Sequence, residues 1–190
     1  IGLMRLGLER AGWKVVWAND IDKDKRDIYC GHFKDAAEPF VLGDIHTLQS
    51  ADLPKVELAT ASFPCNDLSL AGSRHGLAGP HSSAFWGFVE LIKGMSIRPP
   101  LVLLENVPGF LTSRGGNDFL DACLALNDAG YSLDTFIIDA LFFVPQSRRR
   151  MFIVGKQEKQ AHLRSVAETP VFYQSQLRPQ PLADFIMCHP

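Results

Sequence analysis

Residues 101–105, LVLLE, form an apolar run with no polar alternation. A strand buried on both faces reads this way, and such strands belong to parallel sheets covered by helices. Pro99-Pro100 precede the run and Pro108-Gly109 follow it, which gives it a strand's length. On either side the period changes. Phe85, Phe88, Val89 and Ile92 recur at i, i+3, i+4 and i+7, which predicts an amphipathic helix over 83–95. Phe119, Ala122, Cys123 and Leu126 predict another, stopped near Gly130. A helix over 3–11 closed by Gly12, and a polar helix over 22–33, are expected upstream. Strands are expected at 14–18, 57–61, 131–139 and 151–154, with a turn at Gly43-Asp44. Strands alternating with helices imply a doubly wound α/β sheet, whose ligands sit at the carboxyl ends of the strands. Every polar motif below falls at such an end or just beyond it.

Between 66 and 82 the chain is rich in Gly, Ser, His and Pro and reads as a long loop. Past residue 155 the period weakens, and 156–184 are expected to be a linker or the start of another domain. Cysteines stand at 30, 65, 123 and 188, with no C-x-x-C pair and no disulfide-like spacing. A reduced, cytoplasmic protein without zinc is the expectation. No run is long enough to span a bilayer, and no cleavable leader opens the chain. The net charge of −2 lacks the basic surplus of a self-sufficient nucleic-acid binder. If this chain acts on DNA, residues outside it are expected to supply much of the grip.

Four constellations carry chemistry. The first is Gly2, Gly7 and Gly12 with Asp20 and Asp22 after the next strand. A glycine turn lets a ligand approach the backbone, and an acidic residue after the following strand can hold ribose hydroxyls. The same residues also read as helix-packing glycines and a solvated turn. The second is Phe63-Pro64-Cys65-Asn66-Asp67-Leu68-Ser69, which puts Cys65 just past a strand end. A lone cysteine is more often a small buried hydrophobe than a nucleophile, and a nucleophile needs nearby cations. Arg148–Arg150 are candidates to supply them. The third is Glu105-Asn106-Val107-Pro108-Gly109, read either as a turn cap or as a carboxyl that polarises a heterocycle. The fourth is Gln146-Ser147-Arg148-Arg149-Arg150, read either as a solvated surface run or as paired guanidinium groups. If the next strand starts at Arg150 or Met151, Arg148 and Arg150 share one face.

Taken in order, these segments resemble the DNA (cytosine-5) methyltransferase family over about residues 1 to 155. Gly2 to Gly12 is similar to the back half of the family's first cofactor motif. Asn19-Asp20-Ile21-Asp22 resembles its ribose-binding segment, and Gly43-Asp44-Ile45 the segment that contacts the adenine amino group. Phe63-Pro64-Cys65 resembles the catalytic P-C motif, Glu105-Asn106-Val107 the E-N-V motif, and Gln146…Arg148…Arg150 the Q-x-R-x-R motif. Asn66 stands where the family usually has Gln, and Leu68 where Phe is common.

The resemblance implies a Rossmann-like, mostly parallel sheet with an antiparallel strand near 151–155. It implies S-adenosylmethionine as methyl donor, held by Gly2, Leu3, Asp20, Ile21, Asp44, Ile45 and Pro64, with no metal. It implies duplex DNA as substrate, contacted by Asn66, Ser69 and Gln146. Cys65, Glu105, Arg148 and Arg150 take the catalytic roles: Cys65 adds to carbon-6 of a flipped cytosine, and carbon-5 then takes the methyl group. Against the family pattern the first strand and most of the target-recognition domain are expected to be missing. A second chain or segment would then carry recognition. A bacterial restriction–modification setting is the family's usual one. Two rival readings are a tRNA methyltransferase and a catalytically silent subunit that keeps the fold.

Overall fold

The computed structural model describes residues 2–37, 39–63, 83–158, 178 and 180–188. It divides into two compact units, Ile1–Lys55 with Gly94–Ser96, and Val56–Lys93 with Ile97–Pro190.

In the first unit, α1 (Leu3–Arg10) follows Gly2, whose φ of +75° is a conformation suited to glycine. A β-carbon there would also lie 2.5 Å from Cε2 of Phe33. Gly12, at φ +87°, donates to the Glu9 carbonyl and stops the helix as its sequence suggests. β1 (Ala18–Asp20) leads to α2 (Lys23–His32), capped by Asp22, whose carboxylate accepts from the N–H groups of Asp24 and Lys25. Tyr29, Phe33 and Ala36 form the core, with Leu6, Ala18, Cys30 and Phe40 packed against them. Arg5 is 5% exposed. Burial is tolerated because its guanidinium reaches Glu9 at 2.7 Å and Asp35 at 2.6 Å and lies 4.2 Å over the Phe33 ring.

The first strand differs from expectation. The ladder runs over 18–20 rather than 14–18, because its parallel partner β2 (Phe40–Leu42) pairs with those residues. A three-residue strand such as β2 is too short to show a period, and the sequence does not reveal it.

The second unit is a four-stranded sheet. Its strands are β3 (Leu58–Ser62), β4 (Leu101–Asn106), β5 (Tyr131–Asp139) and β6 (Arg149–Gln157), in the order β3-β4-β6-β5. β3 is parallel to β4, and β6 is antiparallel to both β4 and β5. Three strands therefore run one way and β6 is reversed, as expected for the 151–155 segment. Along β4, Val102, Leu104 and Asn106 are buried, while Leu101, Leu103 and Glu105 take the other face. Met151, Ile153 and Gly155 of β6 are likewise buried. A β-carbon at Gly155 would lie 2.5 Å from Cγ2 of Val102, so only glycine fits this crossing. α3 (Ser83–Gly94) buries Phe85, Val89 and Ile92, and α4 (Asn117–Asp128) buries Ala122 and Leu126. Each such large apolar side chain contributes about 2 kcal/mol.

Arg178 makes a bidentate pair with Asp134 of β5, at 2.9 and 2.7 Å, and α5 (Gln180–Cys188) follows. This helix is unexpected, because proline at 181 reads as a linker signal. Pro181 in fact lies in the helix's first turn, where the missing N–H costs little. No helix among the described residues is long and apolar enough to cross a membrane.

Candidate active site

Glu105 and Asn106 end β4, and Arg149 and Arg150 begin β6. Because β6 is reversed, its start lies at the edge where β4 finishes. Glu105 stands opposite Phe152, so Arg150, two positions along, is its diagonal neighbour on the same face. The Arg150 Nε lies 2.9 Å from the Glu105 Oε1, with the two side chains 23% and 22% exposed. The pair is thus half-sheltered and still open to a ligand. A carboxylate and a guanidinium so placed can hold neighbouring positions on one edge of a planar heterocycle that carries both donors and acceptors.

Asn106, 4% exposed, faces the other way. Its Nδ2 donates to the Phe63 carbonyl at 3.3 Å, and its Oδ1 accepts from the Val107 N–H at 2.8 Å. Phe63 is buried between Phe85 and Phe110, at ring separations of 5.4 and 5.7 Å. The chain leading to Cys65 is therefore anchored to the end of β4 by one amide and an aromatic cluster. Sequence reasoning placed Asn106 inside a motif and gave it no role. Its position between Glu105 and Val107 was the available signal.

Pro64, Cys65, Asn66 and Ser69, and the loop expected at 66–82, lie outside the described residues. Gln146 and Arg148 are exposed on the turn between β5 and β6. Arg148 immediately precedes the strand, which begins at Arg149, and it is Arg150 whose side chain pairs with Glu105. Arg149 points to Asp139 instead, at 3.6 Å.

In the first unit, Asp20 ends β1, and Asp44 lies two residues past the end of its parallel partner β2. Asp20 accepts from the Asp22 N–H at 2.9 Å and Asp44 from the His46 N–H at 3.0 Å, each through Oδ1. Among the described residues no hydrogen bond reaches their second oxygens, which are acceptors of the kind that a ligand's hydroxyl or amino group can use. Ile21 and Leu3 are apolar and 68% and 73% exposed. Ile45 starts the short helix that Asp44 caps. A cleft of about 220 Å³ in this unit is lined by Trp17, Val41, Leu48 and Leu53 among others. None of the expected cofactor residues lines it.

The described sheet, with three strands running one way and one reversed, has the α/β architecture of the methyltransferase fold. The chain belongs to the C-5 cytosine-specific DNA methylase family, whose model matches residues 1–184. Among curated relatives, it is 34% identical over 160 residues to the type II methyltransferase M.HaeII of Haemophilus aegyptius, covering 84% of this chain and 48% of that protein. It is 33% identical to the type II methyltransferase M.NgoBI of Neisseria gonorrhoeae, covering 82% and 47%. The chain thus spans about half the length of these relatives. Among solved structures, the Dnmt2 methyltransferase of S. pombe superposes with a TM-score of 0.63 at 25% identity, over 84% of this chain and 49% of that one.

Proposed function

We propose that this chain carries the chemistry of methyl transfer to carbon-5 of cytosine in duplex DNA. The observation that carries the reading is the Glu105–Arg150 pair at 2.9 Å, at the edge where the Asn106 amide anchors the approach to Cys65. Carbon-5 of cytosine is a weak nucleophile. Addition of the Cys65 thiolate to carbon-6 gives the ring enamine character, so that carbon-5 can attack an electrophilic methyl group. A proton shared between Glu105 and ring nitrogen 3 balances the negative charge that thiolate addition puts on the ring, the other Glu105 oxygen accepts from the exocyclic amine, and Arg150 donates to the carbonyl oxygen. These contacts strengthen as charge moves onto the ring. Loss of the carbon-5 proton then lets the Cys65 sulfur leave. The base must be flipped out of its stack to reach these groups.

S-adenosylmethionine supplies the methyl group when bound. The residues of the first unit fit it: the Asp20 and Asp44 carboxylates retain acceptor oxygens, and Ile21 and Leu3 offer apolar surface. Asn66, Ser69 and Gln146 are assigned to DNA contact, Arg148 to the catalytic set beside Arg150, and Pro64 to holding the donor. Residues 1–155 hold the catalytic part, while 156–190 lead toward a target-recognition part on a further segment or chain. A cytoplasmic bacterial restriction–modification setting suits the type II names of the relatives.

The test is trapping on duplex DNA with 5-fluorocytosine at the target, which blocks release of the enzyme. The wild-type protein, joined to its recognition part, forms a covalent complex, and Cys65→Ser does not. A complex that survives in Cys65→Ser removes that residue from the role.

A further inference from the structure

Residues 141–149, which carry Gln146 and Arg148, are all exposed, so burial does not fix their path. The turn is held at its base instead. Asp139 ends β5 and stands opposite Arg149 in the antiparallel register. Its Oδ1 accepts from the Leu141 N–H at 3.0 Å and from the Arg148 N–H at 2.7 Å. Its Oδ2 accepts from the Ser147 hydroxyl at 2.9 Å and lies 3.6 Å from the Arg149 Nε. One carboxylate thus grips both ends of the turn, beside the backbone bond from Ala140 N–H to the Arg148 carbonyl; within the turn the Phe143 and Val144 N–H groups donate to the Ala140 carbonyl, and the Phe142 and Phe143 rings lie 5.8 and 5.6 Å from Phe185. The N–H groups of Leu141 and Arg148, with the Ser147 hydroxyl, hold this carboxyl below the usual carboxylate range, so it stays charged near neutral pH.

We propose that Asp139 is a positioning residue for the arginine segment: by clamping the 140–148 turn and drawing Arg149 to itself, it leaves Arg150 to face Glu105. The inference rests on the proposed role of Glu105 and Arg150. The reasoning is geometric. Adjacent residues of a strand point to opposite faces, so fixing Arg149 fixes Arg150. The clamp acts on the backbone N–H of Arg148, the residue just before β6, and on the side chain of Arg149, the first residue in it. Asp139 itself touches no substrate in this scheme.

The test compares Asp139→Ala and Asp139→Asn in the full chain. Asparagine keeps an acceptor for the Leu141 and Arg148 N–H groups, whereas alanine keeps none. Arginine Nε–H signals are followed by 15N NMR, with Arg150 assigned through its loss in Arg150→Lys. In the alanine variant the Arg150 signal moves toward the free-arginine position, and asparagine restores most of the shift. In methyl transfer kcat falls about 10- to 100-fold in the alanine variant, as for a displaced reacting group. The KM for the methyl donor stays within about twofold, and asparagine recovers most of kcat. Ser147→Ala, which removes one donor, gives a smaller shift in the same direction and serves if alanine at 139 prevents folding. An unmoved Arg150 signal overturns the proposal. So does a moved signal with unchanged kcat, or equal damage in both variants that tracks a lower melting temperature. Failure of the site reading is separate: Glu105→Gln would then transfer methyl groups at the wild-type rate, whatever the NMR of the Asp139 variants.

Discussion

Replacing Asn106 with alanine strips the end of β4 of both groups that tie it to its surroundings. The Phe63 carbonyl loses its amide donor, and the Val107 N–H loses its acceptor. An unpaired buried polar group costs about 1–3 kcal/mol. The contact to Phe63 is long at 3.3 Å, and Val107 is only half-buried, so both sit in the lower half of that range. The sum is roughly 2–4 kcal/mol, which in a chain of this size lowers the melting temperature by about 5–15 °C. Asn106→Asp keeps the acceptor for Val107 but turns a carboxylate toward the Phe63 carbonyl, so it falls at least as far. Thermal unfolding of the second unit can be read through Trp86 in α3, with Trp13 and Trp17 of the first unit changed to Phe. The same variant slows covalent trapping on 5-fluorocytosine DNA while donor binding holds, because the released backbone leads straight to Cys65. A melting shift below about 2 °C would falsify the anchoring role.

Glu105→Gln removes a half-exposed ion pair worth at most about 1 kcal/mol, so stability changes little. Methyl transfer falls by about 100-fold or more, and an equal loss of donor affinity would contradict the assignment. Asp35 gives a pH prediction. The hydrogen bond from Arg5 holds its carboxyl below the usual range near pH 4. The folded form is therefore favoured fully above that range, and the benefit disappears as pH falls through the lowered value. Melting of the first unit should decline in acid, and Asp35→Asn should flatten the slope; an unchanged slope counts against the pairing.

What could be read from the residues alone was whatever repeats over several turns or pairs. The helices α3 and α4 and the nine residues of β5 carry enough apolar positions to reveal their period, and their observed bounds lie close to the expected ones. β2 has three residues and no period to detect, and β1 is placed by the partner it finds rather than by its own apolar run. α5 hides behind Pro181, whose meaning depends on where the first turn falls. In the site, Glu105 and Arg150 stand out because charge at a strand end is conspicuous. Asn106 and Asp139 do not, because they act on backbone N–H and carbonyl groups that every residue shares. Only coordinates reveal which of those groups they meet.

Arg148, Arg149 and Arg150 are chemically identical, so nothing in their side chains decides which one meets Glu105. Sliding β6 by one step against β4 would hand the role to a neighbour. Beside the Asp139 clamp, the register is constrained farther down the strand, where Gly155 passes Val102 with no room for a β-carbon. Either Val154 or Lys156 brought to that crossing would collide. A residue without a side chain thereby acts as the index mark of the ladder, and its mutation would misassign a guanidinium that it never approaches.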